Sequence, residues 1–166
     1  MANRLQIAAR GDREIVMTRA FDAPRELVFE AWTRPELVRR WLGAIPDWRM
    51  DVCEIDLRVG GSYRFVWRGP GQEMGMGGVY REIAVPERIV STETFDDPWY
   101  AGEAVGTVTF EELDGQTVLT QVMRYDSPET RDGVLASPME SGVTASYDQL
   151  EQVLATLSIP VAETRG

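Results

Sequence analysis

Met139-Glu140-Ser141-Gly142-Val143-Thr144-Ala145-Ser146-Tyr147-Asp148-Gln149-Leu150-Glu151-Gln152-Val153-Leu154-Ala155-Thr156-Leu157 is the stretch on which the fold turns. Met139, Val143, Ser146, Tyr147, Leu150, Val153, Leu154 and Leu157 recur at helical spacing, while Glu140, Asp148, Glu151 and Gln152 fall opposite them. One long amphipathic helix is therefore expected near the C-terminus, with a single apolar stripe to bury. Helical periodicity extends back to Glu129, but Pro138 interrupts it. A proline cannot donate the interior helical hydrogen bond. The spacing predicts a first piece ending near Ala136, and a main helix with Ser137 as N-cap and Pro138 in its first turn.

Everything upstream that could receive that stripe reads mostly as strand. Ile15, Met17 and Phe21 alternate within residues 13–21, as expected for a strand with one buried face. Pro24 opens a short helix through Trp32, and Pro35 opens a second, with Leu37, Val38, Trp41 and Leu42 on one side, ending near Gly43. Beyond Arg49 the period changes to that of strands. The turn signals Gly60-Gly61, Gly69-Pro70-Gly71 and Asp114-Gly115 divide the region into six strands, approximately 49–57, 61–68, 74–84, 88–96, 103–112 and 116–125. Strands joined by short turns pair antiparallel and need an apolar cover on one face. The expected class is α+β: a curved antiparallel sheet of about seven strands around the last helix, with two short helices after the first strand. One domain over 13–157 is expected, with residues 1–12 and 158–166 as flexible termini.

Composition narrows the function. The 166 residues carry a formal charge of −10, which repels nucleic acid and anionic membranes. No apolar run is long enough for membrane insertion, and the N-terminus has no secretory pattern. A cytoplasmic location is the expectation. There is no histidine, and Cys53 is the only cysteine. These absences leave no metal site of the usual His or Cys kind, no disulfide and no catalytic thiol with a helpful electropositive neighbour. The glycine-rich stretches match neither a P-loop nor a dinucleotide fingerprint, so no cofactor is expected.

The candidate ligand-cavity residues are Tyr63, Phe65 and Trp67, which share one strand face, together with Trp99, Phe110, Met139, Val143 and Tyr147. Aromatic and apolar side chains of this kind build small-molecule pockets, and equally build filled cores. Met74 and Met76 among Gly75, Gly77 and Gly78 read either as a bulged strand or as an adaptable pocket edge. For acid–base chemistry the candidates are Glu82, Glu93, Asp96, Asp97 and Tyr147, with Arg81 as an anion-binding group. Glu93 comes first because Ile89, Ser91, Glu93 and Phe95 alternate onto one face. A carboxyl drawn into an apolar interior has its pKa raised.

The ordered landmarks also carry a resemblance. They run from Arg19-Ala20-Phe21-Asp22-Ala23-Pro24, Val28-Phe29, Trp32, Pro35-Glu36-Leu37 and Trp41 through Gly60-Gly61 and Tyr63-Arg64-Phe65. They continue with Gly78-Val79-Tyr80-Arg81-Glu82-Ile83, Pro86-Glu87-Arg88-Ile89-Val90 and Thr107-Val108-Thr109-Phe110, ending with Ser141-Gly142 and Tyr147-Asp148-Gln149-Leu150. In this order they resemble the SRPBCC, or START-like, superfamily, in particular the group related to the C-terminal domain of the heat-shock-protein-90 ATPase activator. The resemblance implies the helix-grip fold, with a cavity between sheet and helix that relatives use for apolar molecules. Two departures stand out: Val143 occupies a place where members often carry Trp, and Pro138 one where a small residue is common.

On this reading the chain binds a small apolar or aromatic molecule. An alternative is a polyketide cyclase-like or hydrolase-like enzyme using the same cavity. The third expectation is a chaperone-interacting domain, and a homodimer has no sequence feature demanding it.

Overall fold

The alternation Ile15, Met17, Arg19, Phe21 forms a strand whose inward positions are all buried. Asp22 and Pro24 end it and start the first helix. In this computed structural model, which describes residues 3–164 and the side chains of residues 3–157, the elements follow in the expected order. They are β1 (Gln6–Arg10), β2 (Glu14–Phe21), α1 (Arg25–Thr33), α2 (Pro35–Trp41), β3 (Arg49–Ile55), β4 (Ser62–Gly69), β5 (Gln72–Ala84), β6 (Arg88–Phe95), β7 (Ala104–Leu113), β8 (Gln116–Arg124), α3 (Pro128–Ala136) and α4 (Met139–Thr164). The strands form one antiparallel sheet in the order β1-β2-β8-β7-β6-β5-β4-β3. Pairing of β2 with β8 brings the two ends of the domain together, with Ile15 opposite Met123 and Phe21 opposite Thr117. This is the helix-grip arrangement.

The eighth strand corrects the expected seven. Residues 6–10, read as part of a loose terminus, pair with β2 from Gln6 opposite Thr18 to Arg10 opposite Glu14. Their only large apolar residue is Ile7, so no alternation marks them as a strand. They pair because β2 offers an open edge and Gly11, at φ +59°, makes the tight return. The opposite terminus also differs from expectation: the α4 backbone continues as helix to Thr164, and the last two positions lie outside the described residues. The interruption at Pro138 is as expected, but Ser137 does not act as N-cap of α4. Its amide and hydroxyl both donate to Val134 O, closing α3 instead.

Two apolar clusters divide the interior. The larger places Tyr147, Leu150, Val153 and Leu154 of α4 against Phe21, Phe110 and the two short helices. The smaller gathers Ile15, Met17, Ala104, Met123, Tyr125 and Val134 under α3, and Val143 packs against both. Polar contacts fix how the helices enter. Trp41 Nε1 donates to Ala31 O (2.8 Å) and Thr117 Oγ1 to Ala23 O (2.7 Å), so α1 and α2 are held to each other and to β8. Cys53 is buried on β3 beside Pro35 O, and desolvation pushes its thiol up to about 11, the behaviour of an inert core residue.

The sheet bends at β5. The register slips between Tyr80 and Glu82, and the β5–β6 ladder is interrupted at Gly78 and Val79, where Val79 N bonds to Thr92 Oγ1 instead. A Cβ on Gly78 would stand 1.9 Å from Thr92 O. Only glycine permits that approach.

Candidate functional site

The two clusters do not close completely. Between them lies a cavity of about 260 Å³. Tyr63, Phe65, Met76, Tyr80, Ile89 and Val108 form the sheet side. Gly142, Val143, Ser146 and Tyr147 of α4 form the roof, and Trp32, Val38, Trp41 and Leu42 close the flank. Strand alternation explains the sheet side: Ile89, Ser91 and Glu93 point inward from β6, as do Gly106 and Val108 from β7.

Of the eight expected cavity residues, Tyr63, Phe65, Val143 and Tyr147 line the space. The other four are elsewhere, each for a physical reason. Trp67 shares the inward face but fills its own volume, with Nε1 donating to Leu42 O at 3.2 Å. Phe110 is packed edge-on against Phe29 and Trp32 in solid core. Met139 lies at the start of α4, against the smaller cluster. Trp99 belongs to the β6–β7 connection and is 52% exposed, stacked edgewise on Phe95 and Tyr100.

Among the acid–base candidates, Glu93 and Tyr147 reach the cavity. Glu82 pairs with Arg88 at 2.9 Å, Asp96 with Arg64 and Arg81 with Glu103 at 3.3 Å, all on the outside, and Asp97 is exposed. Met76 contributes to the wall, whereas Met74, on the same face of β5 but opposite Trp67 and beyond the open volume, is exposed.

Glu93 is the only charged side chain among the lining residues. Its Oε1 accepts a hydrogen bond from Tyr100 Oη at 2.8 Å. Burial raises its pKa above the ordinary carboxylate range, and the Tyr100 hydrogen bond only partly opposes that. Two of the wall phenols are committed internally: Tyr147 Oη donates to Gln121 Oε1 (2.6 Å) and Tyr63 Oη to Thr92 O (2.7 Å). Trp32 Nε1 is buried without a partner. The described residues contain no group of three or more His, Cys, Asp or Glu that could hold a metal ion.

Sequence reasoning omitted Trp32, Trp41, Tyr80 and Gln121 from the wall. Gln121 left a signal, since Leu119, Gln121 and Met123 alternate onto one face and an inward amide in such a run needs a polar neighbour. Trp41 was already on the apolar side of its helix. What the pattern lacked was the placement of that helix over the cavity.

Residues 22–155 match the family described as Activator of Hsp90 ATPase homolog 1-like protein. The chain belongs to this family. A crystal structure from Rhodobacter sphaeroides is 32% identical, with a TM-score of 0.85 over 92% of this chain and 99% of that one. One from Chromobacterium violaceum is 30% identical, with a TM-score of 0.70 over 87% and 98%. A Mycobacterium smegmatis protein shares the fold at 23% identity, with a TM-score of 0.80 over 91% and 97%. Comparison with curated proteins gives no match. Membership in the Activator of Hsp90 ATPase homolog 1-like family thus spans both short helices, the sheet from β3 to β8 and most of α4.

Proposed function

We propose that this domain binds a small, mainly apolar organic molecule in the cavity beneath α4. The observation that carries the reading is the unfilled volume itself. Protein interiors are normally packed like organic crystals, and here about 260 Å³ is left open among aromatic and aliphatic side chains. An apolar cavity of about 150 Å³ suffices for benzene, so the space suits a molecule of one or two rings, or a short branched chain.

The test is native mass spectrometry of the purified chain, with release and identification of retained molecules, followed by titration monitored through Trp32 and Trp41 fluorescence. Binding is expected for the wild type and lost in Val143→Trp, which sets an indole at the roof. Equal binding by a folded Val143→Trp protein would place the ligand elsewhere.

A second reading, proton-transfer catalysis on the bound molecule, draws on Glu93. A buried carboxyl that keeps its proton is a competent general acid when a substrate atom sits within hydrogen-bond reach. Unchanged turnover in Glu93→Gln with an identified substrate would rule that chemistry out.

A further inference from the structure

Glu93 has no counter-charge. All seventeen basic residues of the chain are arginines, and none of them lines the cavity. The buried Arg19 pairs with Asp148 across the β2–α4 contact, and Arg131 donates to Gly11 O and Glu14 O. The titratable groups that share the field of Glu93 are phenols: Tyr63 from β4, Tyr100 from the β6–β7 connection and Tyr125 after β8, with Glu103 acting on Tyr63 from farther away. A carboxyl has therefore been placed on an apolar wall with one tyrosine donor and no cation.

Hydrogen-bond capacity around it is unbalanced in the same sense. Tyr100 donates its hydroxyl proton to Glu93 Oε1, Tyr63 donates to Thr92 O and Tyr147 to Gln121 Oε1. A phenol that has donated retains only acceptor capacity. Glu93 Oε2 has no partner among the described residues. A ketone or ester could accept from the neutral Glu93 acid or from the unpartnered Trp32 Nε1, but would bring no donor to the phenol lone pairs. A primary ammonium brings three donors and a positive charge. The surrounding rings add to this: Tyr63 lies 5.2 Å from Phe65 and 5.6 Å from Tyr80, centroid to centroid, and aromatic faces attract organic cations. A net charge of −10 draws cations toward the protein as well.

We propose that the cavity selects a small organic amine, bound as its ammonium ion against Glu93, with its apolar body among Phe65, Tyr80, Trp41 and Val143. The inference rests on the cavity being a ligand site, as proposed above, and adds the chemical class of the ligand. The proton balance is definite. Where free Glu93 is protonated, uptake of the ammonium ion releases that proton to solvent and forms a carboxylate–ammonium pair.

The experiment titrates the full chain with two matched pairs, phenethylamine against phenethyl alcohol and benzylamine against benzyl alcohol, by calorimetry across the acid-to-neutral range. In the wild type the amines are expected to bind more tightly than the alcohols. Their affinity should rise with pH through the titration of free Glu93, while the alcohols stay flat. In Glu93→Gln the amines should weaken by roughly tenfold to a hundredfold, the range for a buried charged hydrogen bond, and the alcohols should be unaffected. Alcohols that bind as well as amines, with Glu93→Gln indifferent, would overturn the amine selectivity and leave the cavity reading standing. Failure of all four probes to bind would overturn both. The pH comparison uses only wild-type protein, so it holds even if Glu93→Gln folds poorly.

Discussion

Glu93 keeps its proton at a pH where a solvated glutamate has lost it, because ionising there strands a charge among aromatic rings with only the Tyr100 hydroxyl to solvate it. The sign for stability follows from linkage. The folded state holds this proton more firmly than the unfolded chain, so the folded state is favoured below the ordinary glutamate pKa. That contribution is lost as pH rises from there through the raised folded value. Urea melts should show wild type losing stability across this window relative to Glu93→Gln, which carries no such proton. Identical pH profiles would mean that Glu93 is effectively solvated. Tyr63 and Tyr147 are buried phenols, each pushed upward mainly by desolvation, so both stay neutral hydrogen-bonding groups in any physiological buffer.

At the scale of the element, α4 is both the closing wall of the core and the roof of the cavity. Leu150 is 0% exposed and packs in the larger cluster away from the open volume. Leu150→Ala should therefore cost about 2–5 kcal/mol in urea unfolding, the usual range for a buried leucine. Arg19 reaches inward from β2, 5% exposed, with its guanidinium 5.0 Å from the Phe21 ring and 2.8 Å from Asp148, whose side chain is 58% exposed. Because Asp148 stays wet and Glu151, the second carboxylate at 3.7 Å, is 27% exposed and accepts from Asp22 N, Arg19→Met strands no fully buried charge. A loss of only about 1 kcal/mol is expected. A loss comparable to that of Leu150→Ala would show that the pair, rather than the apolar stripe, anchors the helix.

For the molecule as a whole, cavity and stability are linked by mass action. A ligand present at about one hundred times its Kd adds about 2.7 kcal/mol. For a chain of this length that corresponds to a rise in Tm of roughly 5–11 °C, measurable by differential scanning fluorimetry. Val143→Trp should show no such rise while keeping the wild-type far-UV spectrum. A full shift in that variant would separate the stabilising site from the cavity.

The helix stripe from Met139 to Leu157, the period-two strands and the glycine turns were readable because each depends on local spacing, and local spacing is written directly in the chain. So was the inward position of Glu93, which needs only the alternation from Ile89. β1 was not readable: Gln6-Ile7-Ala8-Ala9-Arg10 has too little apolar character to announce a strand, and it forms because β2 has a free edge. The same limit divided the candidate wall. Trp67 and Phe110 carry the same inward pattern as Tyr63 and Phe65, yet whether an inward ring fills the core or borders a void depends on what the opposite layer brings to it. The sequence by itself determined the elements other than β1 and their faces, and put Glu93 first among four candidate carboxyl groups. Only the tertiary structure decided where the layers fail to meet, because a cavity is a mismatch between surfaces distant in the chain, and no local period records it.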